Sequence, residues 1–143
     1  MGFIGNFFKK KEINIPQKPS IENVEGYILW LLEHGEQWKN IKNLTIRCGF
    51  PYDKLIPVIV EGVKSELNKY QDAYALLDRR VEFGEGYEKG AEAIEKRGGI
   101  SQSPSEVIGP FVYVCAMMVI LPHFIHYKFG LDLPRDVLEW RPC

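Results

Sequence analysis

Two histidines three residues apart, His123 and His126, are the side chains whose type and spacing come closest to doing chemistry. Positions i and i+3 share a helical face, so the two imidazoles could ligate one zinc or iron ion. Two ligands do not make a site. The further donors would be His34 or the row Glu82, Glu85, Glu88 and Glu92, which keeps loosely to one face. The Glu-x-x-His pairing of helical di-iron carboxylate proteins does not occur. The expectation is capping or surface histidines beside a solvated acidic face, with no metal and no cofactor.

The other nucleophile-bearing residues add little. Cys48, Cys115 and Cys143 are odd in number, far apart and in no C-x-x-C pattern, which indicates neither a disulfide framework nor a zinc knuckle. A reducing, cytoplasmic interior suits them, and Cys48 and Cys115, set among apolar neighbours, read as small buried hydrophobes. There is no G-x-S-x-G and no phosphate-binding glycine loop, so no enzyme is expected. Tyr87 and the glycines around it read as the lining of a pocket or, more simply, as a kinked helix.

The elements that must position these residues are helical. A chain of 143 residues with 45% hydrophobic composition fits one domain that can bury a core unaided. Residues 1–19 form an arm and an extended linker, INIPQKP, and 20–143 a single domain. Ser20 is the expected N-cap of a first helix carrying Val24, Ile28 and Leu31 and stopping at Gly35. A second spans EQWKNIKNLTIRCG, and a third, capped by Asp53, places Pro57 at its fourth position and runs to Lys69. A fourth covers 70–97, with a bend or break near Gly84-Glu85-Gly86. Ser103-Pro104-Ser105-Glu106 has the form of a capping box opening a fifth helix, which Pro110 and Pro122 should kink or interrupt. The tail leaves room for a short terminal helix. The fold expected is all-α, a compact bundle of about five helices around the apolar Ser103–Phe129 stretch.

Residues 107–127 carry no formal charge and as a helix would extend roughly 31 Å, enough to cross a bilayer. Pro110, Pro122, His123 and His126 leave only Phe111–Leu121 as an unbroken apolar run, a length more typical of buried core. A soluble bundle is the first expectation, and a single-pass membrane subunit with a span near 107–127 an alternative. The arm, MGFIGNFFKKKE, puts Phe3, Ile4, Phe7 and Phe8 on one helical face ahead of Lys9, Lys10 and Lys11. It lacks the features of a secretory signal, and Asn6 stands where myristoylation wants Ser or Thr. Two readings of it stay open: a clip for lipid or a partner, or an arm folded onto its own domain.

Residues 44–58, from Leu44 through Thr45, Gly49 and Phe50 to Leu55 and Val58, resemble a helix-turn-helix unit. Thr45 stands where that family wants a small residue, Gly49 at the turn, and Leu44, Cys48, Phe50, Leu55 and Val58 at buried positions. The resemblance implies a DNA-binding regulator, with Lys39, Lys42, Arg47 and Lys54 on phosphates. Against this, the start of the would-be recognition helix offers Tyr52, Asp53, Lys54, Ile56 and Pro57, none suited to bidentate base contacts. Residues 36–69 hold six Lys/Arg against four Asp/Glu, and the whole chain is at −1, thin for phosphate binding. The function expected is therefore non-catalytic: binding a protein partner or assembling with itself, as accessory proteins of viruses and mobile elements do. The arm, Leu138 and Trp140 are its expected anchors.

Overall fold

The structure, a computed structural model, describes residues 18–47 and 49–142 and, for Asn40, Ile41, Leu44 and Arg47, the backbone only. The arm with Phe3, Ile4, Phe7 and Phe8, the linker up to residue 17, and Cys48 lie outside the described residues. The architecture is all-α, as expected. In chain order come α1 (Val24–His34), α2 (Lys39–Arg47), α3 (Tyr52–Lys69), α4 (Ala73–Lys96), a 3-10 turn (Ile100–Gln102), α5 (Ser105–Phe129) and the short α6 (Arg135–Leu138). No strand forms among the described residues.

Three caps differ from expectation. Ser20 does not cap α1: its hydroxyl accepts from the Glu22 N–H (3.2 Å) in a turn, and Asn23 instead accepts from the Gly26 N–H at 3.1 Å. Asp53 is not the cap of α3 but sits in its first turn, where its charge suits the helix dipole, behind Pro51. Pro57 thereby falls at the sixth helical position rather than the fourth, and one ladder bond is lost. Ser103 donates its hydroxyl to the Gly99 carbonyl (2.9 Å) rather than capping α5, which starts at Ser105 behind Pro104.

The long apolar helix is the centre of the core. Residues 115–122 of α5, more than two full turns, are all buried, so no face of the helix is left to water there. Cys115 is among them, a small buried residue as its neighbours suggested. The helix continues through Pro110 and Pro122 without interruption and ends where Gly130 takes the left-handed conformation (φ 71°). Tyr27 of α1 packs edge-on against Phe124 (5.3 Å), which seats α1 on its C-terminal half.

The expected break in α4 does not occur. Gly84, Gly86 and Gly90 lie within one unbroken helix, and a Cβ at each would meet Met118, Val114 and Phe111 in turn. As the α4 numbers rise those of α5 fall, so the two helices pack antiparallel, with the glycines at the approach. At Gly90, where a Cβ would stand 2.8 Å from the Phe111 ring, the helix cost of glycine, about 1 kcal/mol, is offset by the close contact it permits, whereas Gly84 and Gly86 leave room for a Cβ. Between α3 and α4, Arg79 donates to both carboxylate oxygens of Glu66, at 2.7 and 3.2 Å, and its guanidinium lies over the Phe83 ring.

Candidate functional site

A cleft of about 790 Å³ runs along the C-terminal half of α4. Its floor is built from Tyr87, Ala91 and Ile94 of α4, Ile100 of the 3-10 turn and Phe111 of α5. Local backbone chemistry creates it. Gly98 and Gly99 both take positive φ (96° and 107°), and the Gly99 N–H donates back to the Ile94 carbonyl at 3.0 Å. That double turn closes α4 and folds Ile100 back beside it. Tyr87 stacks on Phe111 with ring centres 5.4 Å apart, and the edge of Trp140 meets Tyr87 at 5.0 Å.

Glu88, Glu92 and Glu95 form the rim, all exposed. Spaced i, i+4 and i+7, they follow one face of α4 for about 10 Å. Glu92 is paired with Lys96 at 3.0 Å, and both side chains are mostly in water. Exposed ion pairs are worth about 0–1 kcal/mol each, whereas apolar burial contributes about 25 cal/mol per Å². The floor would therefore carry affinity, and the rim would select a positively charged occupant and orient it. Composition alone pointed to Tyr87, but not to Ile100 or Phe111, which the glycine turn and the antiparallel packing bring in.

The histidines go separate ways. His126 Nδ1 lies 2.9 Å from the Leu131 carbonyl and closes the end of α5, a capping role. His123 is not a surface residue: both its ring nitrogens are buried without a hydrogen-bond partner, and its ring stacks against Tyr127. Burial first, then the charges of Lys18 and His126, push its pKa down to about 4, so it is neutral near pH 7. Among the described residues no group of three His, Cys, Asp or Glu side chains converges on a point that could hold a metal ion. Beside this pair, the Lys18 ammonium lies over Tyr27, Trp30 and Tyr127, at 5.2, 5.7 and 4.5 Å from the ring centres.

The helix-turn-helix segment is α2, a tight turn and α3. Thr45 is fully buried and donates its hydroxyl to the Lys42 carbonyl, and Leu55 is buried as expected, but Val58 is exposed. The indole N–H of Trp38 donates to the Tyr52 hydroxyl in the interior, so Tyr52 faces inward rather than towards a groove. Lys39 and Lys42 lie beside Glu36 (3.2 Å) and Glu33 (3.6 Å), Lys54 is exposed, and the Arg47 side chain lies outside the described residues. In the tail, Leu138 and Trp140 are both half-buried. Trp140 rests on Tyr87, and the Leu138 carbonyl accepts from the Gln37 amide at 2.6 Å.

α5 is long and apolar enough to cross a membrane, and 72% of its most apolar 18-residue window is buried within the protein. Comparison with protein-family models, with curated proteins and with solved structures returned no match.

Proposed function

We propose that this chain is a non-catalytic, cytoplasmic interaction protein that docks a basic, amphipathic polypeptide segment in the α4 cleft. The observation that carries the reading is the pairing of an apolar floor (Tyr87, Ala91, Ile94, Ile100, Phe111) with a rim of carboxylates on one helical face. Such a surface matches a helix with an apolar stripe and lysines beside it, the helix-in-groove mode of recognition. No nucleophile, base or metal ligand set is needed for this work. α5 serves it as the rigid support that holds Phe111 in the floor.

The test is a titration followed by heteronuclear NMR. The probe is a twelve-residue peptide with apolar residues at i, i+1, i+4 and i+5 followed by three lysines. The receptor is the full chain carrying Phe7→Ser and Phe8→Ser, so that its own apolar arm does not compete. Saturable shifts of the Ala91, Ile94 and Ile100 amides, with no response to the same peptide bearing glutamates for lysines, are expected. Unmoved amides, or equal response to both peptides, would refute the reading.

The second reading, a single-pass membrane subunit, draws on the length and composition of α5. The burial of residues 115–122 on every side favours the first, because a lipid-facing helix leaves at least one face uncovered by protein.

A further inference from the structure

We propose that Tyr27, Trp30 and Tyr127 form an aromatic cage for a trimethylammonium group of the choline class, in which the Lys18 ammonium is the resting occupant. The site is separate from the α4 cleft: Tyr127 lies 16 residues beyond Phe111 on α5, about 24 Å along its axis.

Three ring faces converge on one point. The Lys18 ammonium lies over Tyr27, Trp30 and Tyr127, at 5.2, 5.7 and 4.5 Å from the ring centres. Aromatic faces are negative, so a cation set against several of them at once is held without a formal counter-charge. Among the described residues no carboxylate pairs with this ammonium, and the rings alone recognise it.

Size and hydration favour a methylated cation over the lysine. A methyl carbon stands about 1.5 Å from its nitrogen and touches a ring at about 3.5–4.0 Å, so a trimethylammonium nitrogen rests about 5–5.5 Å from each ring centre. The three observed distances bracket that value. A primary ammonium entering the cage gives up water for rings that accept its N–H groups poorly, whereas a quaternary one has no N–H to satisfy and gains dispersion contacts through its methyl groups.

The cage is held by packing that does not involve Lys18. Tyr27 meets Phe124 edge-on at 5.3 Å, Trp30 rests against His34 at 5.4 Å, and Tyr127 is flanked by His123 (6.0 Å, stacked) and His126 (4.5 Å, edge-on). Tyr27 is buried and Tyr127 is 52% exposed, which gives the site a floor and an open wall. Lys18 is itself exposed, so its departure strands no buried charge. Being tethered, it competes at high effective concentration, and the affinity of a free ligand is reduced by the fraction of cages it leaves vacant.

The experiment titrates choline chloride into the full chain and into its Lys18→Ala variant, following the Trp30 indole N–H by heteronuclear NMR. Saturable shifts are expected in both, at about tenfold lower choline concentration in Lys18→Ala, where the internal competitor is gone. The uncharged carbon isostere of choline, dimethylbutanol, should give no saturable shift over the same range. Tyr127→Phe should keep the response because the ring face remains, and Tyr127→Leu, at a half-exposed position that leaves the fold intact, should abolish it. Silence from the Lys18→Ala chain, an equal response to the alcohol, or an undiminished response in Tyr127→Leu would each overturn the proposal. In a chain that choline saturates, binding to phosphatidylcholine vesicles that choline competes away would place the group on a lipid headgroup, and no vesicle binding would make it a free solute. These results leave the α4 cleft untouched, and its reading stands or falls on its own peptide titration.

Discussion

Gly90 of α4 lies so close beneath Phe111 of α5 that a Cβ there would stand 2.8 Å from the ring Cδ1, while a Cβ at Gly86 would meet Val114 at an ordinary 3.7 Å. Two glycines one turn apart on the same helix thus predict opposite signs for the same substitution. Gly86→Ala gains helix propensity, about 1 kcal/mol at most, without a clash. Gly90→Ala gains the same but must push Phe111 off its seat against Tyr87, and overpacking of that kind costs about 1–3 kcal/mol. Urea midpoints should rise for Gly86→Ala and fall for Gly90→Ala. A rise for both would mean that the helices do not approach at Gly90.

Glu66 is 8% exposed and takes two charge-assisted bonds from Arg79. Removing the carboxylate leaves the guanidinium over Phe83 with only the exposed Glu82 as partner, at 3.2 Å, and removing the guanidinium strands a nearly buried carboxylate. Glu66→Ala and Arg79→Ala should each lower stability by about 2 kcal/mol, with a coupling of about 1–2 kcal/mol in the double-mutant cycle. Arg79→Lys should recover only part of the loss, since an ammonium cannot reproduce the two-pronged contact. Additive single effects would show that the pair does not join α3 to α4.

The helical architecture, its central apolar element and the short tail helix were legible from hydrophobic periodicity and from the charge-free run at 107–127. The caps were not, because Ser20 and Ser103 look like caps in isolation and lose that role to neighbouring backbone groups. The glycines of α4 misled for a related reason. Read along one helix they weaken it, and only the antiparallel partner reveals that at Gly90 the small size admits the Phe111 ring. Of the cleft, Tyr87 was within reach of sequence reasoning. Ile100 and Phe111 join it through the Gly98-Gly99 turn and through packing between segments far apart in the chain, neither of which has a local signature.

His123 makes stability depend on pH in a defined window. Its folded pKa, about 4, lies below the unfolded value near 6.5, so between those limits the unfolded chain binds a proton that the folded chain refuses. Its contribution is fully present above about pH 6.5 and declines as the pH falls, by about 2 kcal/mol at pH 5. Denaturant midpoints measured from pH 7.5 to 5 should show this fall, and His123→Phe should remove most of it. An equal fall in the variant would assign the acid sensitivity to other groups.

Lys39 and Lys42 spend part of their charge on Glu36 and Glu33, and Tyr52 is turned into the core. Random duplex DNA at low salt should accordingly show no retardation in a gel-shift assay with the full chain. Retardation that weakens steeply with added salt would restore the DNA-binding reading of the helix-turn-helix segment.

The account depends most on α5 being enclosed by protein. Its most direct test is partition of the full chain, carrying Phe7→Ser and Phe8→Ser so that the arm does not dictate the outcome, between the aqueous and detergent phases of a cloud-point separation. Recovery in the aqueous phase is predicted, because residues 115–122 are already covered on every side. Recovery in the detergent phase would contradict it, and would make α5 a membrane span rather than the core of a docking domain.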